Sequence, residues 1–250
     1  MTSSLHHIRI ILVEPAGALN LGSIARVMKN MGLTQLVIVN PQCEVLGEEA
    51  TRMAVHAIDL LQSAQIVADL PTALAGCTRV IATTARARAI PTQLETPRQA
   101  LPWLIASNQP TALIFGREDS GLTNAELNYA QRYLRIPVGS EYSSLNLAQA
   151  VGVCAYELQM SVTEANETTV QEALTIPQQL DLAPVELVEG YYQQLETLLL
   201  EIGYLLPHTA AHRLEKIRRI YHRSQLSPND VALLRGILRQ VRWAIDRHHP

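Results

Sequence analysis

Three stretches of this sequence combine side chains that can do chemistry with a position where an open parallel sheet binds ligands, just after an apolar run. The first, Asn20-Leu-Gly-Ser-Ile-Ala-Arg26, follows Ile8-Arg-Ile-Ile-Leu-Val-Glu14 and the break at Pro15-Ala-Gly17. The second, Phe115-Gly-Arg-Glu-Asp-Ser-Gly-Leu-Thr-Asn124, follows the run at 111–115. The third, Pro137-Val-Gly-Ser-Glu-Tyr-Ser-Ser-Leu-Asn-Leu-Ala148, follows Tyr133–Ile136. A fourth candidate, Thr83-Thr-Ala-Arg-Ala-Arg88, follows 79–83. The first stretch has the look of a nucleotide-binding turn, yet it offers only Gly17 and Gly22. The dinucleotide fingerprint needs three glycines in a G-x-G-x-x-G frame, so a nicotinamide site is excluded.

Each loop also has a plain structural reading. Gly116 and Gly121 serve as turn glycines. Thr123 and Glu126 form a capping box, and Ser143 and Ser144 cap a helix that begins at Leu145. Taken singly, the loops imply little. No metal set stands out either: the histidines are dispersed or paired at the end (His248-His249), and no H-E-x-x-H occurs. Cys43, Cys77 and Cys154 are isolated, odd in number and without a C-x-x-C pair, as expected of buried small residues in a cytoplasmic protein.

The elements that must position these loops are legible from periodicity. The apolar runs at 8–13, 36–39, 80–82 and 112–115 are short and continuous, as strands buried on both faces should be. Between them, Leu21, Ile24, Met28 and Met31 repeat at helical spacing, leaving Arg26, Lys29 and Asn30 elsewhere on the wheel. Asn20 is expected as the N-cap of that helix and Gly32 as its stop. The alternation predicts an α/β domain with a mostly parallel sheet over residues 1–162. Residues 163–183 read as an exposed acidic linker. Three helical patterns follow, at about 184–204, 208–223 and 229–247. The last opens on Ser227-Pro-Asn-Asp, with Leu234, Ile237, Leu238, Val241 and Ile245 as its apolar stripe.

The chain has 250 residues, 48% of them hydrophobic, and a net charge of −3. The apolar runs are too short to span a membrane and the N-terminus lacks a signal-peptide pattern. The expectation is a cytoplasmic protein with no membrane partner. Aromatics make up only 4%, which argues against a sheet-borne base-stacking surface. The charge is divided unevenly. Residues 1–160 are near balance and 161–206 carry eight acids and no Lys or Arg, whereas 207–250 carry nine Lys/Arg against three acids. A basic terminal segment suggests a polyanion as partner, and a solvated helical surface is the competing reading.

In this order and spacing the motifs resemble those of the SPOUT methyltransferases. The resemblance rests on Asn20 and Arg26, on Phe115–Glu118 with Gly121-Leu-Thr-Asn124, and on Ser143-Ser-Leu-Asn-Leu-Ala148, and covers about residues 8–160. It implies a trefoil-knotted sheet with flanking helices, a topology that general chain statistics would not suggest. It also implies S-adenosylmethionine as cofactor and transfer of a methyl group to a ribose 2′-hydroxyl of RNA. The match is strongest to members that modify cytidine or uridine at nucleotide 32 of tRNA. The alternatives are a relative acting on rRNA or another tRNA position, and a non-catalytic RNA-binding module.

By the same resemblance Arg26 is catalytic, with Asn20, Ser144 and Asn146 assisting. A guanidinium stays protonated under ordinary conditions. Arg26 therefore needs an RNA phosphate or a buried setting to act as a base, or else it positions and polarises the hydroxyl. The cofactor-binding positions implied are Thr83, Thr84, Ala85, Gly116, Glu118, Ile136, Ser143, Ser144 and Leu145, with no metal required. Family members dimerise through helices of the knotted domain, which allows Arg26 to serve the partner's cofactor. No obligatory protein partner besides a second copy is expected. Lys216, Arg218, Arg219, Arg235, Arg239 and Arg242 of the helical extension, 184–250, would hold tRNA phosphates.

Overall fold

The computed structural model describes residues 5–85, 94–139, 141, 144–168 and 182–248. The chain divides into two compact units, residues 1–177 and 178–250.

The first unit is built on seven strands, counted among the described residues. They are β1 (Ile8–Val13), β2 (Gln35–Val39), β3 (Gln65–Val67), β4 (Arg79–Thr83), β5 (Leu94–Glu95), β6 (Thr111–Phe115) and β7 (Arg132–Leu134). Their order is β3-β2-β1-β6-β4-β7-β5, and every neighbouring pair is parallel. The expected α/β class with a parallel sheet is therefore observed. The central strands are buried on both faces, which is why they read as unbroken apolar runs. The edge strands β3 and β5 are short and partly exposed, and left no such signal.

The flanking helices are α1 (Ala18–Asn30), α2 (Glu48–Ala54), α3 (Ile58–Gln62), α4 (Leu70–Leu74), α5 (Pro97–Ala100), α6 (Pro102–Ile105), α7 (Asn124–Leu127) and α8 (Leu147–Thr168). Leu21, Ile24 and Met28 of α1 are fully buried, while Arg26, Lys29 and Asn30 are exposed. Gly22 permits close approach of α1 to α2, since a Cβ there would lie 2.7 Å from Cβ of Met53. Gly32, at φ 71°, ends the helix as expected. The start differs from expectation: α1 begins at Ala18 with Gly17 at the cap, so Asn20 lies inside the first turn and its side chain is free for other work. Likewise α8 begins at Leu147 rather than Leu145, and runs to Thr168, beyond residue 163 where a linker was expected.

The second unit contains α9 (Val185–Glu201), α10 (Ala210–Ser224) and α11 (Pro228–His248). Ser227 and Asp230 cap α11 reciprocally: Asp230 N donates to Ser227 Oγ at 3.2 Å, and Ser227 N donates to Asp230 Oδ2 at 2.9 Å. Its core joins Tyr191, Tyr192, Leu195, Leu214 and Val231, with Leu234 and Leu238 packed against them. Of the stripe read from the sequence, Ile237 and Val241 are instead exposed. No helix among the described residues is long and apolar enough to cross a membrane.

Candidate active site

Four adjacent strands, β1, β6, β4 and β7, end at one edge of the sheet, and the loops that follow them gather there. Glu118, in the loop after β6, is the hub. Its carboxylate accepts from the backbone N–H groups of Ala16 and Gly17, both at 3.1 Å, and from Nδ2 of Asn20 at 3.1 Å. Asn20 accepts in turn: Nδ2 of Asn146 donates to its Oδ1 at 3.0 Å. Asn146 completes the series as the cap of α8, its Oδ1 accepting from Ala148 N at 2.9 Å. One chain of hydrogen bonds thus ties the loop after β1 to the loops after β6 and β7. Burial alone would raise the Glu118 carboxyl, but the bonds from Asn20, Ala16 and Gly17 outweigh it and hold it below the usual carboxylate range.

The loop after β6 folds back on itself. Gly121 N donates to Arg117 O at 3.0 Å, and Gly121 sits at φ 68°. A Cβ on Gly116 would lie 2.8 Å from Cα of Gly121, so the need for glycine at 116 is met inside the loop and not only by ligand approach. Arg117 clamps the loop from outside. Its Nε donates to Glu14 at 2.8 Å, and its Nη1 and Nη2 donate to Glu126 at 3.1 and 2.9 Å. Glu14 leaves β1 in the left-handed region, at φ 48°. Glu126 also closes the capping box with Thr123 that the sequence indicated. The arginine lowers the Glu14 carboxyl chiefly through its hydrogen bond. At Glu126 burial opposes this and is outweighed by Arg117 and Thr123. Sequence reading gave Glu126 only its cap and did not pair Arg117 with Glu14, because partners 103 residues apart give no local signal.

Beside these loops lies a pocket whose walls include Thr83, Thr84, Ala85, Gly116, Glu118, Ile136, Ser144 and Leu145. Those are eight of the nine positions the resemblance implied for the cofactor; Ser143 lies outside the described residues. Phe115, Leu122 and Leu134 add apolar wall, and Asp119 adds a second carboxylate. A neighbouring hollow shares Glu118, Ser144, Leu145 and Leu147 and extends to Asn146 and Gln149. Among the described residues no cluster of His, Cys, Asp or Glu is placed to hold a metal ion.

Arg26 stands apart. It lies six residues beyond Asn20 on α1, about 9 Å along the helix axis. It is exposed, borders neither hollow, and its side chain makes no hydrogen bond or ion pair with another described residue. Asn20, Glu118, Ser144 and Asn146 converge within one chain, and Arg26 does not join them.

The six basic positions of the second unit also divide. Arg218 pairs with Glu189, Nη2 to Oε2 at 2.7 Å, and stacks over Tyr192 at 4.4 Å. Arg219 pairs with Glu215 at 2.7 Å, and Arg242 with Glu201. Arg235 lies against Gly190 of α9 with its Nε buried. Lys216 and Arg239 are exposed and form no ion pair among the described residues.

A profile of the SpoU rRNA methylase family matches residues 7–156, the span that holds the sheet and all of these loops. The chain belongs to the SpoU rRNA methylase family. The SpoU match covers the same region as the three motifs read from the sequence. A second profile, the C-terminal domain of the tRNA methyltransferase TrmJ, matches residues 186–249. Among curated SpoU relatives, the tRNA (cytidine/uridine/adenosine-2′-O-)-methyltransferase TrmJ of Pseudomonas aeruginosa is 40% identical over 95% of this chain and 94% of its own. The tRNA (cytidine/uridine-2′-O-)-methyltransferase TrmJ of Klebsiella pneumoniae is 41% identical over 95% of this chain and 97% of its own. The crystal structure of TrmJ from Z. mobilis superposes with a TM-score of 0.81 at 30% identity, covering 94% of this chain and 98% of that one.

Proposed function

We propose that this chain is an S-adenosylmethionine-dependent tRNA methyltransferase that acts on the ribose 2′-oxygen of cytidine or uridine at nucleotide 32. We read it as a cytoplasmic homodimer with the trefoil knot of its superfamily. The observation that carries the reading is similarity along 95% of the chain, through both units, to relatives named as tRNA 2′-O-methyltransferases. The geometry agrees with it. The pocket has strand-end backbone, small residues and apolar side chains for an adenosine, and the carboxylates of Glu118 and Asp119 suit a cationic ligand. Arg117 also borders it, but Glu14 and Glu126 occupy its charge.

When bound, S-adenosylmethionine supplies a methyl group on a positively charged sulfur. The chain's own task is to hold a ribose hydroxyl in line with that methyl and to ease loss of its proton. Ser144 and Asn146 border the hollow beside the cofactor pocket, where a hydroxyl and an amide can bind a ribose. Glu118 keeps both loops in place and is held ionised as an acceptor, so it is a positioning residue. Arg26 polarises the hydroxyl. Its separation from the other four within one chain supports action on the partner's pocket. Leu19 of α1 and Val153 and Tyr156 of α8 are exposed, at 43%, 38% and 50%, and offer a second copy an apolar surface on helices of this domain.

The test is transfer of labelled methyl from S-adenosylmethionine to purified tRNA and, in parallel, to ribosomal RNA. Label in tRNA alone is expected. Label in ribosomal RNA alone would favour the activity that the SpoU family name describes.

A further inference from the structure

Helix α11 carries Arg235, Arg239, Trp243 and Arg247 at intervals of four. That spacing aligns them as a stripe along one side of a helix. Each step drifts about 40° round the helix, so Arg235 lies about 70° from the centre of Val231, Leu234 and Leu238, which face the core of the second unit, Arg239 about 110°, Trp243 about 150° and Arg247 about 190°. Trp243 is 53% exposed, unusual for the largest apolar side chain of a helix that has a core face of its own. The Arg247 guanidinium lies over its indole at 5.2 Å from the ring centroid. Arg239, one turn earlier, is exposed and without an ion pair among the described residues, whereas Arg235 is turned against α9. Asp246 and the Arg242–Glu201 pair lie on the adjoining side.

An exposed indole with one guanidinium over its ring and a second arginine one turn earlier on the helix is a poor contact for an apolar protein surface and a good one for a single-stranded nucleotide. A base stacks on the ring at small dependence on sequence, while the flanking cations meet the phosphates. We propose that Trp243 stacks on an unpaired nucleobase of the RNA substrate, with Arg239 and Arg247 on the phosphates to either side. This inference rests on RNA being the substrate. It adds the contact that phosphate binding alone lacks, a preference for a single-stranded segment over a duplex. The scarcity of aromatic residues is consistent with it, since one ring takes one base.

Three proteins, wild type, Trp243→Ala and Trp243→Phe, are titrated with tRNA at several salt concentrations, with their folding checked by thermal melting. Loss of a stacked base lowers affinity about five- to a hundredfold at each salt. The alanine variant should show that loss with an unchanged salt slope, because no charge has been removed. The phenylalanine variant should recover most of the affinity. A single-stranded oligoribonucleotide should quench the indole emission of wild type more than that of Trp243→Phe, and a duplex of the same length should not. An alanine variant that binds tRNA as wild type does would overturn the inference and leave the methyltransferase reading intact. So would a loss of dimer without loss of RNA affinity, which would assign Trp243 to a protein contact. Wild type that binds no RNA would remove both.

Discussion

Asn146 donates a hydrogen bond of 3.0 Å to Asn20, a residue 126 positions earlier in the chain. Each amide is used at both ends: Asn20 also donates to Glu118, and Asn146 also caps α8. The pair therefore fixes the distance between the first and third motifs, and the two functions of Asn146 can be separated. Asn146→Ala should lose about 1 kcal/mol of stability with the cap. Asn146→Asp keeps the capping oxygen but loses the donor and sets a second negative charge toward Glu118. It should melt close to wild type and still transfer methyl poorly, as thermal melting and initial rates on the same preparation would show. Wild-type rates in the aspartate variant would mean that the Asn20 link has no part in the reaction.

Acid should open this region before it unfolds the sheet. Glu14, Glu118 and Glu126 all titrate below the ordinary carboxylate value of 4.5 in the folded chain. A group depressed on folding contributes its full stabilisation above its unfolded value and loses it as pH falls through the folded one. Stability should thus be level above about pH 4.5 and decline below it. Glu118→Gln should flatten that decline, because one of the three titrating groups is gone. Melting temperatures measured against pH for both proteins check this, and identical profiles would remove Glu118 from the linkage.

Gly116→Ala should damage the cofactor site without dissolving the fold. The added Cβ meets the backbone of Gly121, which cannot move as a flexible side chain would. Displacing the loop should cost about 1–3 kcal/mol, which corresponds to about five- to a hundredfold in S-adenosylmethionine affinity. Calorimetric titration reads the affinity, and circular dichroism confirms the fold. Undiminished binding would show that this loop does not shape the pocket.

The basic residues of the second unit should separate into two groups. Arg218→Ala removes an ion pair and a stacked ring contact, so it should cost about 1–2 kcal/mol of stability and leave the salt dependence of tRNA binding nearly unchanged. Lys216→Glu with Arg239→Glu should instead spare stability. Each lost phosphate contact should flatten the log–log salt slope by about 0.7–0.9. Affinity at several salt concentrations distinguishes the two, and an unaltered slope in the double variant would place the RNA contacts elsewhere.

Legibility in the sequence followed locality. Buried parallel strands announce themselves because both faces are apolar, and β1, β2, β4 and β6 were visible as runs. The reciprocal caps Thr123–Glu126 and Ser227–Asp230 span three residues and were visible too. The cap falls at Gly17 rather than at Asn20, whose Oδ1, the atom a cap would use, instead accepts from Asn146, a partner 126 residues on. Pairing of the basic helix with the acids of 161–206 was one reading of the sequence, but which acids occupy Arg218 and Arg242 was hidden, since those acids lie on another helix. The cofactor positions were assigned by resemblance to ordered motifs. Eight of them border one pocket because four neighbouring strands end at the same edge.

Whether a ribose oxygen of tRNA receives the methyl group, and whether Arg26 acts on it, is read by mass mapping of tRNA from a strain lacking its own activity, after reaction with wild type or Arg26→Ala. Wild type should add one methyl to the ribose of cytidine or uridine at nucleotide 32. Arg26→Ala should add none, although cofactor binding stays near wild type. A methyl group on a base, or undiminished ribose methylation by Arg26→Ala, would contradict this assignment.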